Sequence, residues 1–336
     1  TTMATIDEED SAQLWSLETF EAIGSALRHD RPILEVMFSP GGTLLATGGS
    51  DFAARLWSAF DGAPMVPPMS HRSLVVALDF SPDSQLLLTG GNDYTARLWS
   101  VASGQRAGVE ITRNSSMRSV AFSPSGNQIA ISAGGMAEIW SAEVLTKPAE
   151  VYPTQRDAWA VGFSKDGGQV FTGGFDGLVR VWSKETAELQ EEIPNEVGVW
   201  VVELSPDNRH LVAGYTGRPG AARLWSLQKK ESIVLEHDGP VRSAAFNPQG
   251  TQAATGGFDG FAKVWTIPSG ELVAAFEHDD YVEDLNFTPD GASLITACGD
   301  GEVRFWSIND QQQIPISIQH NDAVLAVDIS HDGRLI

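Results

Sequence analysis

Eight tryptophans, Trp15, Trp57, Trp99, Trp140, Trp182, Trp225, Trp265 and Trp306, stand 42, 42, 41, 42, 43, 40 and 41 residues apart. A period near 42 across the whole length restricts the chain to copies of one supersecondary unit. One such unit cannot bury its apolar face alone, so neighbours must supply the cover. At 336 residues the chain is also long for a single core. The repeat turns that length into an array rather than a set of unrelated domains.

The copies around Trp99 show the unit most clearly. Leu74–Phe80 is a short apolar run, followed by the turn Ser81-Pro82-Asp83-Ser84. Leu86–Thr89, the turn Gly90–Asp93, a third strand at Thr95–Trp99 and a weaker fourth over Arg106–Thr112 complete it. The stretch Gly90–Ser100 recurs at Gly48–Ser58, Gly173–Ser183, Gly256–Thr266 and, loosely, Cys298–Ser307. Short β-rich runs broken by Pro, Gly, Asp and Asn every few residues predict an all-β repeat. Asp176-Gly177, Asp259-Gly260 and Asp300-Gly301 suit tight hairpins, since glycine tolerates positive φ there.

These units resemble the four-stranded blades of the WD-repeat β-propeller family, over essentially the whole chain. The Trp-Asp pair of that family is Trp-Ser or Trp-Thr here. The resemblance implies a polar tetrad in each regular blade: a His before the first strand, a Ser or Thr in the second, an Asp in the next turn, and the Trp. Residue by residue it places His29, Thr47, Asp51 and Trp57 in one blade and His71, Thr89, Asp93 and Trp99 in the next. His237, Thr255, Asp259 and Trp265 form a third set, and His278, Thr296, Asp300 and Trp306 a fourth. A His–Asp pair beside a hydroxyl has the composition of a catalytic triad. Four copies in one chain argue for architecture instead, because an enzyme needs one such site.

The ends fit together. Thr1–Ile6, Ala12–Trp15 and Phe20–Leu27 align with second, third and fourth strands, while Val324–Ile329, after His320, aligns with a first strand and Arg334–Ile336 begins a second. The expectation is eight four-stranded blades forming one propeller domain over residues 1–336. The closing blade is then composite, with His320, Thr5, Glu9 and Trp15 as an imperfect tetrad. The alternative is seven blades plus a fragment. Pro64, Pro67, Pro68, Pro148, Pro194 and Pro315 fall on outer edge strands, where a missing N–H does least harm.

Comparing the copies separates scaffold from variable positions. Ile33, Val75, Met117, Ala158, Val199, Val241, Val282 and Val324 form an apolar first-strand column. Val36, Leu78, Val120, Val161, Val202, Ala244, Leu285 and Val327 form another three residues on, and Phe38, Phe80, Phe122, Phe163, Leu204, Phe246, Phe287 and Ile329 a third two further. A step of three and then two predicts a bulge between the first pair. The residues just after the first column do not follow packing: Leu34, Val76, Arg118, Trp159, Trp200, Arg242, Glu283 and Leu325. In the WD-repeat family this region lies near the mouth of the central channel, on the face where partners dock. Arg118, Trp159, Trp200 and Arg242, with Glu283 beside them, come from consecutive blades and should form an arc, and Trp and Arg are enriched at binding hot spots. Such an arc favours a partner carrying an acidic or phosphorylated residue beside an apolar one.

Three of the arc's blades are irregular. The copy ending at Trp140 has Asn114 near the His position and Gly-Gly-Met in its second turn, and the copy ending at Trp182 lacks the His. The copy ending at Trp225 lacks both His and Asp and carries Tyr215-Thr-Gly-Arg218-Pro-Gly. Phe52, Tyr94, Phe175, Tyr215 and Phe258 are expected in turns between second and third strands, either as an aromatic part of one rim or, the favoured reading, as covers for hairpin tips. Acid gathers at Asp7-Glu8-Glu9-Asp10, Asp279-Asp280, Glu283-Asp284 and Asp322, either as a site for a basic peptide or as a solvated face.

A net charge of −22 makes phosphate backbones poor partners, since their capture depends on Lys and Arg. Cys298 is the only cysteine, which excludes an internal disulfide and a cysteine-based zinc site. No apolar run is long enough to span a membrane and no targeting pattern is visible, so the expected setting is the cytoplasm. Starting and stopping inside a repeat is the expectation for a segment of a larger multidomain signalling protein. The sequence therefore predicts a non-catalytic scaffold for protein or peptide partners, without cofactor or metal. The rival reading is an enzyme that uses a metal or carboxylates at the channel mouth.

Overall fold

The computed structural model describes residues 2–7, 11–108, 110–142, 150–154, 157–194, 198–217 and 221–330. Within them the chain forms eight four-stranded antiparallel sheets in a ring. Seven are consecutive meanders, which we number blades 1 to 7 from the inner strands Ile33–Phe38, Val75–Phe80, Met117–Phe122, Ala158–Phe163, Val199–Leu204, Val241–Phe246 and Val282–Phe287. Blade 8 is composite: Thr2–Asp7, Ser11–Ser16 and Ala22–Arg28 are completed by Val324–Ile329 as inner strand. Thr2 and Ser330 lock the seam, with each backbone N–H donating to the other residue, to the Ser330 hydroxyl and the Thr2 carbonyl. Arg334–Ile336 and Glu9 lie outside the described residues, as do Arg218 and Pro148.

The sequence pattern explains the packing. All eight residues of the first apolar column have 0% exposure, and the column three residues on is buried in every blade. These side chains fill the gaps between neighbouring blades, where the Trp rings also lie; Tyr152 of blade 3, for example, packs on Trp182 of blade 4. Fully buried aliphatics at this density contribute about 1.5–3 kcal/mol each relative to exposure. The fourth strands are the least regular. In blade 1 this strand shrinks to Met69–Ser70 because Pro64, Pro67 and Pro68 remove ladder donors. In blade 2 only Ile111–Thr112 remains, plus a bridge between Trp99 and Arg106, where Gly108 at φ 110° breaks the extended run.

The bulge occurs in all eight blades. Pairing between inner and second strand skips one residue, between Ile33 and Glu35, Val75 and Ala77, Met117 and Ser119, Ala158 and Ala160, Val199 and Val201, Val241 and Ser243, Val282 and Asp284, and Val324 and Ala326. The skipped residue is always the variable one: Leu34, Val76, Arg118, Trp159, Trp200, Arg242, Glu283 or Leu325. An unpaired extra residue bends its strand and re-aims its side chain. Here it releases one side chain per blade from the ladder.

Candidate functional site

In blade 1 the Trp57 indole N–H donates to Thr47 Oγ1 at 2.9 Å, Thr47 Oγ1 lies 2.7 Å from His29 Nε2, and His29 Nδ1 lies 2.9 Å from Asp51. A carboxylate only accepts, so Nδ1 carries the proton and the hydroxyl donates to Nε2. Blade 2 repeats this with His71, Thr89, Asp93 and Trp99, and blade 6 with His237, Thr255, Asp259 and Trp265. Burial, the largest cause, lowers the pKa of His29 and His71, which favours neutral rings. In blade 8, Trp15 donates to Thr5, whose hydroxyl lies 3.0 Å from His320 Nε2.

Close approach of His and Asp requires glycine at the end of the second strand. A Cβ on Gly91 would come within 2.7 Å of both His71 Nδ1 and Asp93 Oδ1. Blade 7 shows the consequence of a side chain there. Cys298 replaces the glycine, and His278 keeps Thr296 at 2.7 Å but turns Nδ1 to the Phe276 carbonyl at 3.1 Å. Asp300 pairs with Arg304 at 2.7 Å instead, so this set is not a closed tetrad. Trp306 still donates to Thr296.

The irregular blades use other solutions. In blade 3 the His position is held by Arg113, not Asn114: the Arg113 N–H bonds to the Tyr94 carbonyl as the His71 N–H bonds to that of Phe52. Arg113 forks onto Glu138 at 2.6–3.0 Å and lies 4.8 Å from the centre of the Trp140 ring, whose N–H donates to Glu138 at 3.0 Å. Glu138 occupies the strand position that is Arg55, Arg97 or Arg180 elsewhere, so the charges of the network are exchanged. In blade 4 Trp182 donates to Thr172 at 3.2 Å without a histidine. Blade 5 has Ala213 at the Thr position, and the buried Trp225 indole N–H has no acceptor among the described residues. Tyr215, expected in a turn, ends the second strand at 4% exposure, in the place of the glycine beside the His–Asp pair of other blades. Its bulk occupies the space that the missing pair leaves.

Inner strands of all eight blades line one central channel, a cavity of about 560 Å³. At its mouth a second cavity of about 580 Å³ is lined by Glu35, Arg118, Trp159, Trp200 and Arg242. The bulge thus brings together four of the five residues expected in the arc. Arg118 is exposed and makes no ion pair among the described residues, whereas Arg242 is bound to Glu283. Trp159 leans on Phe175, and Trp200 on Phe258.

Below the mouth the channel is acidic, a feature the repeat comparison missed because the residues are spread over two columns. Glu35 and Asp284 share one column, and Asp79, Glu203 and Asp328 share another two residues on. Asp79 accepts from the Phe122 N–H of the next blade at 2.5 Å, Asp284 from Val327 at 3.0 Å and Asp328 from Phe38 at 2.8 Å. These carboxylates staple inner strand to inner strand, and Asp328 does so across the closing seam. Desolvation in the narrow channel is the main cause that pushes their pKa values up, to about 7 for Asp79 and Asp328. Asp284 is raised for the same reason. Glu203 keeps access to channel water yet is hemmed in by protein, and rises to about 7. Glu35, desolvated and facing Asp284 and Asp328, rises to about 8. Among the described residues no three His, Cys, Asp or Glu side chains are placed to hold a metal ion.

The family description "WD domain, G-beta repeat" matches residues 22–58, 68–100, 147–183, 229–266 and 270–307, more than half of the chain. The chain belongs to the WD-repeat family. The matches pass over the Trp15 strands of the composite blade and the blades ending at Trp140 and Trp225; in the last two the tetrad is rebuilt or lost. Target of rapamycin complex subunit LST8 of Mus musculus is 29% identical over 115 residues, 33% of this chain and 35% of that protein. WD repeat-containing protein SL1-17 of Schistosoma mansoni is 31% identical over 140 residues, 40% of this chain and 45% of that protein. The matched regions thus span less than half the length of these curated relatives. The computationally designed Ika8 protein shares the fold with a TM-score of 0.78 at 22% identity, over 90% of this chain and 92% of that one. No helix among the described residues of this WD-repeat propeller is long and apolar enough to cross a membrane.

Proposed function

We propose that this WD-repeat propeller is a non-catalytic interaction scaffold that docks a protein or peptide partner over the channel mouth. One observation carries the reading. The bulge releases from the ladder one inner-strand column that packing leaves variable, and over five consecutive blades that column is Arg118, Trp159, Trp200, Arg242 and Glu283. A buried ladder position could not vary between Leu, Arg, Trp and Glu without cost, so a column that does vary is available for recognition. Arg118, with no ion pair among the described residues, supplies a charge suited to a carboxylate or phosphate. The two indoles supply apolar area with little rotamer entropy to lose. The partner feature that fits is an acidic or phosphorylated residue beside an apolar one.

The general role of WD-repeat propellers as interaction platforms supports the scaffold reading, and the first relative named above is by its title a complex subunit. The test is a pull-down that compares wild type with Trp159→Ala combined with Trp200→Ala. We expect partners to be lost at unchanged thermal stability. Identical partner sets at equal stability would sink the arc as a docking site.

A further inference from the structure

The arc does not end at the channel. Trp200 lies 5.5 Å from Phe258 of the next blade, ring centre to ring centre, and Phe258 stacks on Tyr281 at 4.5 Å with the planes 13° apart. Three consecutive blades thus build one aromatic ladder, and its last rung, Tyr281, just before the inner strand of blade 7, is 47% exposed. The ladder's surroundings are acidic. Asp279 and Asp280 directly precede Tyr281, and Asp238 lies on the loop whose Gly239 packs against Phe258, where a Cβ would be 3.3 Å from the Phe258 Cβ. All three aspartates are exposed.

The nearby bases are committed elsewhere. Lys263 reaches the Glu236 carbonyl at 2.7 Å and Asp259 at 3.8 Å, and Arg242 is bound to Glu283. Arg304 holds Asp300 and Glu302 at 2.7 Å each and approaches Asp279 only to 3.9 Å. The exposed Tyr281 ring, stacked on Phe258, therefore offers a π-face inside a region of excess negative charge, an arrangement that attracts a flat cation.

We propose that Tyr281, backed by Phe258, receives the guanidinium of an arginine in the docked partner peptide, stacked on its ring and countered by Asp238, Asp279 and Asp280. A guanidinium is planar, weakly hydrated and stacks on aromatic faces, which an ammonium does less well. The inference rests on the channel mouth being a peptide-docking site, since Trp200 belongs to both. It gives the peptide a direction: its anionic residue faces Arg118 and its arginine lies over blades 6 and 7.

Selection from a displayed library of random peptides tests this, using wild type, Tyr281→Ala and Arg118→Ala. Wild type is expected to enrich peptides that pair an acidic residue with an arginine. Tyr281→Ala should lose the arginine preference and keep the acidic one, and Arg118→Ala should do the reverse. A selected peptide should bind Tyr281→Ala about tenfold more weakly, the size of a partly desolvated cation–π contact. Asp279→Asn combined with Asp280→Asn should weaken it as well and flatten its salt dependence. Arginine enrichment that survives Tyr281→Ala, or lysine enriched as strongly as arginine, overturns the proposal while leaving the docking site standing. Failure of wild type to enrich any peptide overturns the docking reading beneath it.

Discussion

Blade 5 carries a repairable defect. The Trp225 indole N–H is buried without an acceptor among the described residues, while every other blade tryptophan donates to a Thr hydroxyl or, for Trp140, to Glu138. The residue in the Thr position is Ala213, paired with Arg223 as Thr89 is with Arg97. Ala213→Thr would place a hydroxyl where the indole points. Its proton has a possible acceptor in the Arg223 carbonyl, since Thr89 Oγ1 lies 3.4 Å from the Arg97 carbonyl. A buried unsatisfied donor costs about 1–3 kcal/mol, and a net hydrogen bond is worth about 1 kcal/mol.

Ala213→Val adds nearly the same volume without the hydroxyl and isolates the polar part. The difference between the Thr and Val variants should be about 1 kcal/mol in favour of Thr, which at this chain length corresponds to a rise of about 1–2 °C in Tm. Differential scanning calorimetry and urea midpoints read it. The gain should disappear in a Trp225→Phe background, where nothing donates. Equal stability of the Thr and Val variants, or a gain that persists without the indole, would refute the reasoning.

Two further outcomes follow from the networks. Arg113→Ala leaves Glu138 buried without its cation and should cost about 3 kcal/mol in urea unfolding. Adding Glu138→Gln, which removes the charge yet still accepts from Trp140, should recover most of that loss. The channel carboxyls bind protons more tightly in the folded protein than in the unfolded chain, with values of about 7 for Asp79 and Asp328 and about 8 for Glu35. Their contribution to stability is therefore full below about pH 4 and is lost as the pH rises through about 7–8. Glu35→Gln should raise Tm at pH 8 and leave it nearly unchanged at pH 5, and an equal shift at both would show that Glu35 titrates normally.

The fold was legible because its determinants are local and repeated. The tryptophan period gave the blade, the three-then-two spacing gave the bulge, and the complementary ends gave the composite sheet. The exceptions were harder for reasons that differ. Arg113 stands four residues before Met117, as His71 stands before Val75, so its place could be counted, but an arginine does not announce itself as a histidine substitute. Its meaning appears only when Glu138, 25 residues on, is seen at a position otherwise basic. Tyr215 read as a turn aromatic until alignment with Gly49, Gly91 and Gly257 showed it to be filler. The channel carboxylates converge only when the ring closes, and no linear pattern predicts that convergence. At the arc, sequence comparison named the residues, while the pairing of Arg242 with Glu283 and the continuation through Phe258 to Tyr281 required three dimensions.

The bulge also bears on how such a ring can diversify. Each skipped residue lies outside the register of its sheet, so exchanging it leaves the ladder of its blade intact. On the docking reading proposed above, these eight positions form an address written on a fixed carrier, and changes at distant positions combine with little interference. Binding preference and stability can then drift on separate axes. A lineage of rings could re-letter its address many times while the columns beneath stay still.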